Sequence, residues 1–121
     1  MTKILVVEDN PMNMELVNYL LTTNGVDVTQ AFNGQDALER VQNTNLDLIL
    51  MDIQLPGIDG LEVLKMIRED LKQTEVPVVA LTAHAMKGDE KHFIEAGCIG
   101  YISKPIDVST FMDEVNYFLA K

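Results

Sequence analysis

The chain has 121 residues, and 19 acidic against 9 basic side chains leave a formal charge of −10. A surplus of that sign argues against nucleic acid as a partner, because DNA binders draw most of their affinity from cationic contacts to phosphate, and an anionic membrane surface repels it. At 47% hydrophobic residues the chain is too apolar to stay unfolded by charge repulsion, and its length suits one domain, 1–121, around one core.

Ile4-Leu5-Val6-Val7 is a β-rich run that stops at Glu8-Asp9-Asn10-Pro11. Asn is a favoured N-cap and Pro a favoured first helical residue, so a helix starts there. Asn13, Leu16, Val17, Leu20 and Leu21 share its inward face, Met12 and Met14 flank that stripe, and Asn24-Gly25 closes it. Val26 to Ala31 alternates as a weaker strand, and Asn33-Gly34 opens a second helix carrying Ala37, Leu38 and Val41. Leu46 to Met51 predicts a third strand, apolar except for the turn-starting Asp47, and it ends at Asp52.

In the loop Leu55-Pro56-Gly57-Ile58-Asp59-Gly60, Pro-Gly suits the centre of a type II turn. The next helix points Leu61, Leu64, Ile67 and Leu71 inward. Val76 to Leu81 predicts a fourth strand ending at Thr82, and a helix from His84 to Ala96 follows, with a break near Gly88-Asp89 and Gly97 as its cap. Ile99 to Ile102 is a short fifth strand leading into Ser103-Lys104-Pro105. Val108, Phe111, Met112, Val115, Phe118 and Leu119 then repeat at helical spacing. The single cysteine, Cys98, permits no internal disulfide and reads as a small core residue without a basic neighbour. The first residues lack the basic and apolar pattern of a leader, so none is expected, no run approaches the ~18 apolar residues of a membrane span, and the expected location is cytoplasmic.

Alternating strands and helices, with strands apolar on both faces, predict an α/β fold: a doubly wound, five-stranded parallel sheet covered on both sides. Ligands of such sheets sit outside the carboxyl ends of the strands. Those ends collect Glu8, Asp9 and Asn10, then Ala31 and Phe32, Asp52, Thr82 and Lys104. A phosphate-binding sheet would carry a Gly-rich loop after its first strand; two carboxylates there repel phosphate and attract a cation. If the first and third strands are neighbours, Asp9 and Asp52 face each other with Glu8 behind. Crowded carboxylates raise one another's pKa unless a cation intervenes, and oxygen ligands with room for water suit Mg²⁺. An Asp can also accept a phosphoryl group covalently. Such a transfer requires a counter-charge and a hydrogen-bond donor, which Lys104 and Thr82 supply.

Taken together, Glu8-Asp9-Asn10, Met51-Asp52, Leu55 to Gly60, Leu81-Thr82-Ala83 and Ser103-Lys104-Pro105 resemble a response-regulator receiver domain of two-component signalling. The likeness spans essentially the whole chain. The stretches Ala83 to Glu90 and Tyr101 to Ile106 are most similar to single-domain regulators of the DivK type, which suggests cell-cycle control, and they also resemble receivers of hybrid kinases. The resemblance implies a flavodoxin-like strand order of 2-1-3-4-5. It implies that Asp52 accepts the phosphoryl group from a histidine kinase or histidine phosphotransfer protein. Mg²⁺, for which Mn²⁺ can substitute, would be held by Asp9, Asp52 and the Gln54 backbone carbonyl, with Glu8 acting through water. Lys104 would pair with the phosphoryl oxygens and Thr82 would move to meet one of them. Tyr101 would turn inward in response, signalling to a downstream protein such as a kinase. The Lys104-Pro105 bond is expected to be cis.

Simpler roles compete at several positions. Thr82 can cap the following helix, Tyr101 can be a half-buried strand aromatic, and His84 and His92 read as surface residues. Asn13 is expected to hydrogen-bond the nearby loop. Met12 and Met14 read as edge-of-core residues, or alternatively as an adaptable docking surface for the phosphodonor. The expected activity is that of a switch, not a turnover enzyme. With the last helix closing at Lys121, the reading is a stand-alone receiver. Its rivals are a module of a hybrid kinase, a small Mg²⁺-dependent phosphatase using Asp52, and a flavin carrier. The phosphatase reading is weakened by Gln54, which stands where such enzymes place a second acid; the flavin reading lacks a phosphate-wrapping loop.

Overall fold

The computed structural model describes residues 1–69, 75–83 and 89–120. Strand β1 (Lys3–Val7) leads to helix α1 (Pro11–Thr22), then β2 (Asp27–Ala31), α2 (Gly34–Asn43) and β3 (Leu48–Asp52). There follow α3 (Gly60–Glu69), β4 (Val78–Thr82), α4 (Asp89–Glu95), β5 (Gly100–Ser103) and α5 (Phe111–Leu119). The strands form one parallel sheet in the order β2-β1-β3-β4-β5, as the resemblance implied.

Period-2 alternation divides each central strand between two cores. Ile4, Val6, Leu48, Leu50, Val79, Leu81 and Ile102 face α1 and α5, where Met14, Val17, Leu21, Phe111 and Val115 meet them. Leu5, Val7, Ile49, Met51, Val78 and Ala80 face the other way, against Ala37 and Val41 of α2, Val63, Leu64 and Ile67 of α3, and Phe93 of α4. Full burial of a Leu or Ile side chain contributes about 1.5–3 kcal/mol, so both layers of helices are held by the same few strands. Register then aligns the carboxyl ends: Val7 lies beside Ala31 and Met51, Asp52 beside Leu81, and Thr82 beside Ser103.

Several boundaries differ from the sequence reading. Asp47 is spent before β3 begins, its Oδ2 accepting the Lys3 backbone N–H at 2.8 Å, and the strand runs on to include Asp52. Strand β4 starts at Val78, after Pro77, which has no N–H for the ladder. Strand β5 likewise starts one residue late, at Gly100. Val108 is not an inward helical residue but is 59% exposed, because Asp107 draws in the Ser109 N–H (2.9 Å) and hydroxyl (2.6 Å) and delays α5 to Phe111. Met14 is core at 2% exposure whereas Met12 is 79% exposed, so the two do not share a surface. Asn13, placed on the inward face, is only half-buried. Pro56-Gly57 turns as expected, with Gly57 at φ 81, and the Lys104-Pro105 bond is cis. Leu71, His84 and the proposed break at Gly88 lie outside the described residues.

Helix α1 begins where its sequence signals place it. The Asn10 backbone is extended, and its Oδ1 accepts the N–H groups of Met12 (2.9 Å) and Asn13 (3.2 Å). Asn10→Ala removes that cap and is expected to cost about 1 kcal/mol. A urea unfolding midpoint equal to the parent's would contradict this role.

Candidate functional site

Hydrogen bonds that continue the sheet past its strand ends bring the chemistry together. The Glu8 N–H donates to the Ala31 carbonyl (3.0 Å), carrying β1 one residue further. The Ile53 N–H donates to Leu81 (3.1 Å) and the Lys104 N–H to Thr82 (2.8 Å), which does the same for β3 and β5. Glu8, Asp52 and Thr82 are accordingly the buried polar residues among those described, at 1%, 2% and 2% exposure, while Asp9 is exposed beside them.

Lys104 Nζ bridges the two buried carboxylates, at 2.6 Å from Glu8 Oε1 and 3.1 Å from Asp52 Oδ2. Its side chain is only 15% exposed, so the solvated surface role that most lysines have does not apply. The Asp52 Oδ1 accepts the Gln54 backbone N–H at 2.9 Å, and Glu8 Oε2 accepts that of Asn10 at 3.2 Å. These two amides were not legible from side-chain spacing. For Gln54 the available signal was an Asp two residues before an open N–H, the pattern of an Asx turn; the Glu8 contact to Asn10 has no such pattern.

Burial pushes the Glu8 carboxyl up to about 7; neighbouring Asp52 adds to the rise and Lys104 opposes it. Burial pulls the Lys104 ammonium down, but the two carboxylates outweigh that, and its pKa lies above the ordinary lysine value. One cation therefore serves more negative charge than it can neutralise. Glu8 Oε1 is fully buried and, apart from the Lys104 ion pair, has no hydrogen-bond partner among the described residues. Among the described residues, Glu8, Asp9 and Asp52 form the one acidic group able to hold a metal, each offering an oxygen within 4.8 Å of the others. An all-oxygen set with one open, exposed member fits a hard divalent cation that keeps some of its water.

Compared with known families, the chain matches the response regulator receiver domain over residues 4–116. The chain belongs to that family. It is 44% identical to the polar-differentiation response regulator DivK of Brucella anthropi over 96% of this chain and 94% of the relative. Its fold is similar to that of the receiver domain of sensor histidine kinase PA1611 from Pseudomonas aeruginosa, solved with a magnesium ion coordinated in the active site cleft. That likeness has a TM-score of 0.84 and 33% identity, covering 99% of this chain and 98% of the other. It also resembles a chain in the co-crystal of the Saccharomyces cerevisiae histidine phosphotransfer protein Ypd1 with the receiver domain of its downstream response regulator Ssk1. Here the TM-score is 0.89 with 30% identity, covering 98% and 89%.

The remaining candidates of this receiver domain separate from the cluster. Tyr101 is half-buried on β5, its ring 6.1 Å from that of Phe93 on α4. Gln54 is an exposed side chain held at the site through its backbone. His92 is exposed on α4 and joins no metal-ligating group among the described residues. Cys98 is buried as expected, but it does have a basic neighbour. The Arg68 guanidinium lowers its pKa; burial wins, and the thiol is pushed up to about 11. A thiol so rarely ionised is inert packing. No helix among the described residues is long and apolar enough to cross a membrane.

Proposed function

We propose that this receiver is a phosphorylatable signalling switch in which Asp52 accepts a phosphoryl group, from a histidine kinase or a histidine phosphotransfer protein, in the presence of Mg²⁺. The observation that carries the reading is the bridge from Lys104 to Asp52 and Glu8 beside Asp9, which supports reading Asp52 as the nucleophile, Lys104 as the cationic clamp and the three acids as a metal pocket. Asp9, Asp52 and the Gln54 carbonyl would hold the ion, with Glu8 acting through water. Bound there, the ion supplies positive charge against the phosphoryl oxygens, a role Mn²⁺ can also fill.

An Asp52 carboxylate oxygen attacks phosphorus while the bond from phosphorus to the donor's imidazole nitrogen breaks. The imidazole keeps the electron pair and is protonated. Lys104 meets the charge on the transferred oxygens and Thr82 offers its hydroxyl to one of them. Thr82 and Tyr101 then form the switch, since Thr82 ends β4 and Tyr101 borders a groove of about 350 Å³ lined also by Thr110, Asp113, Glu114, Tyr117 and Phe118. A cytoplasmic protein partner reading that groove completes the signal. Water later releases phosphate from Asp52, slowly and without turnover of outside substrates. The small-phosphatase reading gains no support, since Gln54 still occupies the place of a second acid.

The decisive experiment is labelling by acetyl phosphate with and without Mg²⁺. The parent chain is expected to take one Mg²⁺-dependent phosphoryl group and Asp52→Asn none. Wild-type labelling of Asp52→Asn would overturn the site assignment, and rapid hydrolysis of small phosphomonoesters would overturn the switch.

A further inference from the structure

The loop that returns from Asp52 to α3 closes on a glycine with no room for a side chain. A Cβ built on Gly60 runs into the Asp52 carbonyl oxygen, and it lies 2.9 Å from Ile53 Cα and 3.0 Å from the Asp52 carbonyl carbon. The Gly60 N–H meanwhile donates to the Ile53 carbonyl at 3.0 Å. Backbone therefore presses on backbone at the peptide that carries Asp52. Neither partner is the end of a flexible side chain, so neither can swing aside. Asp59 fixes the same corner, its Oδ1 accepting the Glu62 N–H at 2.9 Å at the start of α3.

We infer that Gly60 is a positioning residue for phosphoryl transfer: its missing side chain lets the 54–59 loop close over β3 and hold Asp52 and Gln54 in place. The inference rests on the proposed role of Asp52. Between Ile53 and Gly60 the chain contains Gln54, whose N–H holds Asp52 Oδ1 and whose carbonyl is the proposed metal ligand. Any side chain at position 60 must either break the Gly60 to Ile53 bond or push the Asp52 peptide outward. Both outcomes loosen the two atoms that Gln54 contributes, at the carboxyl end of β3 where Asp52 pairs with Leu81. The closure and the metal are then linked, and the linkage is reciprocal: whatever holds the loop closed tightens the ion, and the ion holds the loop closed.

The test compares Gly60→Ala with Gly25→Ala in the full chain. Gly25 lies beyond α1 at φ +82 with open space around it, so alanine there destabilises by backbone conformation alone and touches nothing at the site. Gly60→Ala is expected to weaken Mg²⁺ binding about fivefold or more in calorimetric titration, by analogy with the loss of a ligand-orienting contact. Its acetyl phosphate labelling at saturating Mg²⁺ should fall about tenfold or more. Gly25→Ala should keep both within about twofold despite a lower unfolding midpoint. Normal binding and labelling by Gly60→Ala, or equal losses in Gly25→Ala, overturns the inference; if Asp52→Asn stays inactive in the same assays, the function stands without it. Hydrogen exchange on the parent chain keeps the inference testable should Gly60→Ala not fold. Mg²⁺ is expected to slow exchange of the Gly60 and Gln54 amides more than that of Gly25, and no such difference overturns it.

Discussion

Lys104→Ala is expected to destabilise the metal-free chain by about 3 kcal/mol at neutral pH, a large share of the ~5–15 kcal/mol that holds a small domain together. The cause is what the substitution leaves behind. Glu8 and Asp52 remain at 1% and 2% exposure, facing each other and the exposed Asp9, with their bridging ammonium gone. Removing one partner of a buried pair costs more than the pair itself contributes, because the abandoned charge cannot recover its water. The residual 15% exposure of Lys104 places the loss at the lower end of the usual range. Urea unfolding in the presence of a chelator measures it, and Lys91→Ala is the control. Lys91 reaches Glu95 at 3.9 Å with the two side chains 82% and 66% exposed, so its loss should shift stability by less than about 0.5 kcal/mol. Saturating Mg²⁺ should restore Lys104→Ala more than it raises the parent, since the ion replaces the missing charge. Equal midpoints for Lys104→Ala and the parent would remove Lys104 from its electrostatic role.

How much was legible in the sequence follows from what residue types reveal. Ile4 to Val7 and Leu48 to Met51 are apolar on both faces, which identifies central strands of a covered parallel sheet. Glu8, Asp52, Thr82 and Lys104 then stand out as polar groups where apolar runs stop. The strand order did not come from such patterns, because a strand buried on both faces does not show which neighbour it has; it came with the resemblance. Helix phase was the weaker reading. Met14 turned inward and Met12 outward because residues two apart on a helix stand about 200° apart around its axis, so the two cannot flank one stripe equally. The pairing of Cys98 with Arg68 joins residues 30 positions apart and had no local signature. The amides of Gln54 and Asn10 are local contacts, two residues from their carboxylates, but every residue but proline has an N–H, and only the Asx pattern at Asp52 hinted at where one of them points.

Glu8 gives the molecule a pH dependence of unusual sign for a carboxylate. Its pKa is held at about 7 in the fold, against 4.5 for the ordinary group, so the native state binds this proton more tightly than the unfolded chain does. Stability from this source is complete below about 4.5 and is lost as pH rises through about 7. At about 1.4 kcal/mol per pH unit the span is on the order of 3 kcal/mol. Most buried carboxylates paired with cations behave the opposite way; here burial and Asp52 together outweigh Lys104. Glu8→Gln keeps the shape and carries no titrating proton, so urea midpoints of the two proteins, measured with chelator from pH 4.5 upward, should diverge steadily until about pH 7 and then run parallel. Parallel curves across that whole window would mean that Glu8 is ionised throughout. The same contrast should shrink in Mg²⁺, because a divalent ion satisfies the carboxylate that the proton otherwise neutralises. The charge that weakens the metal-free fold at neutral pH is thus the charge that draws in the ion, and the domain is expected to reach its full stability there only with the ion bound.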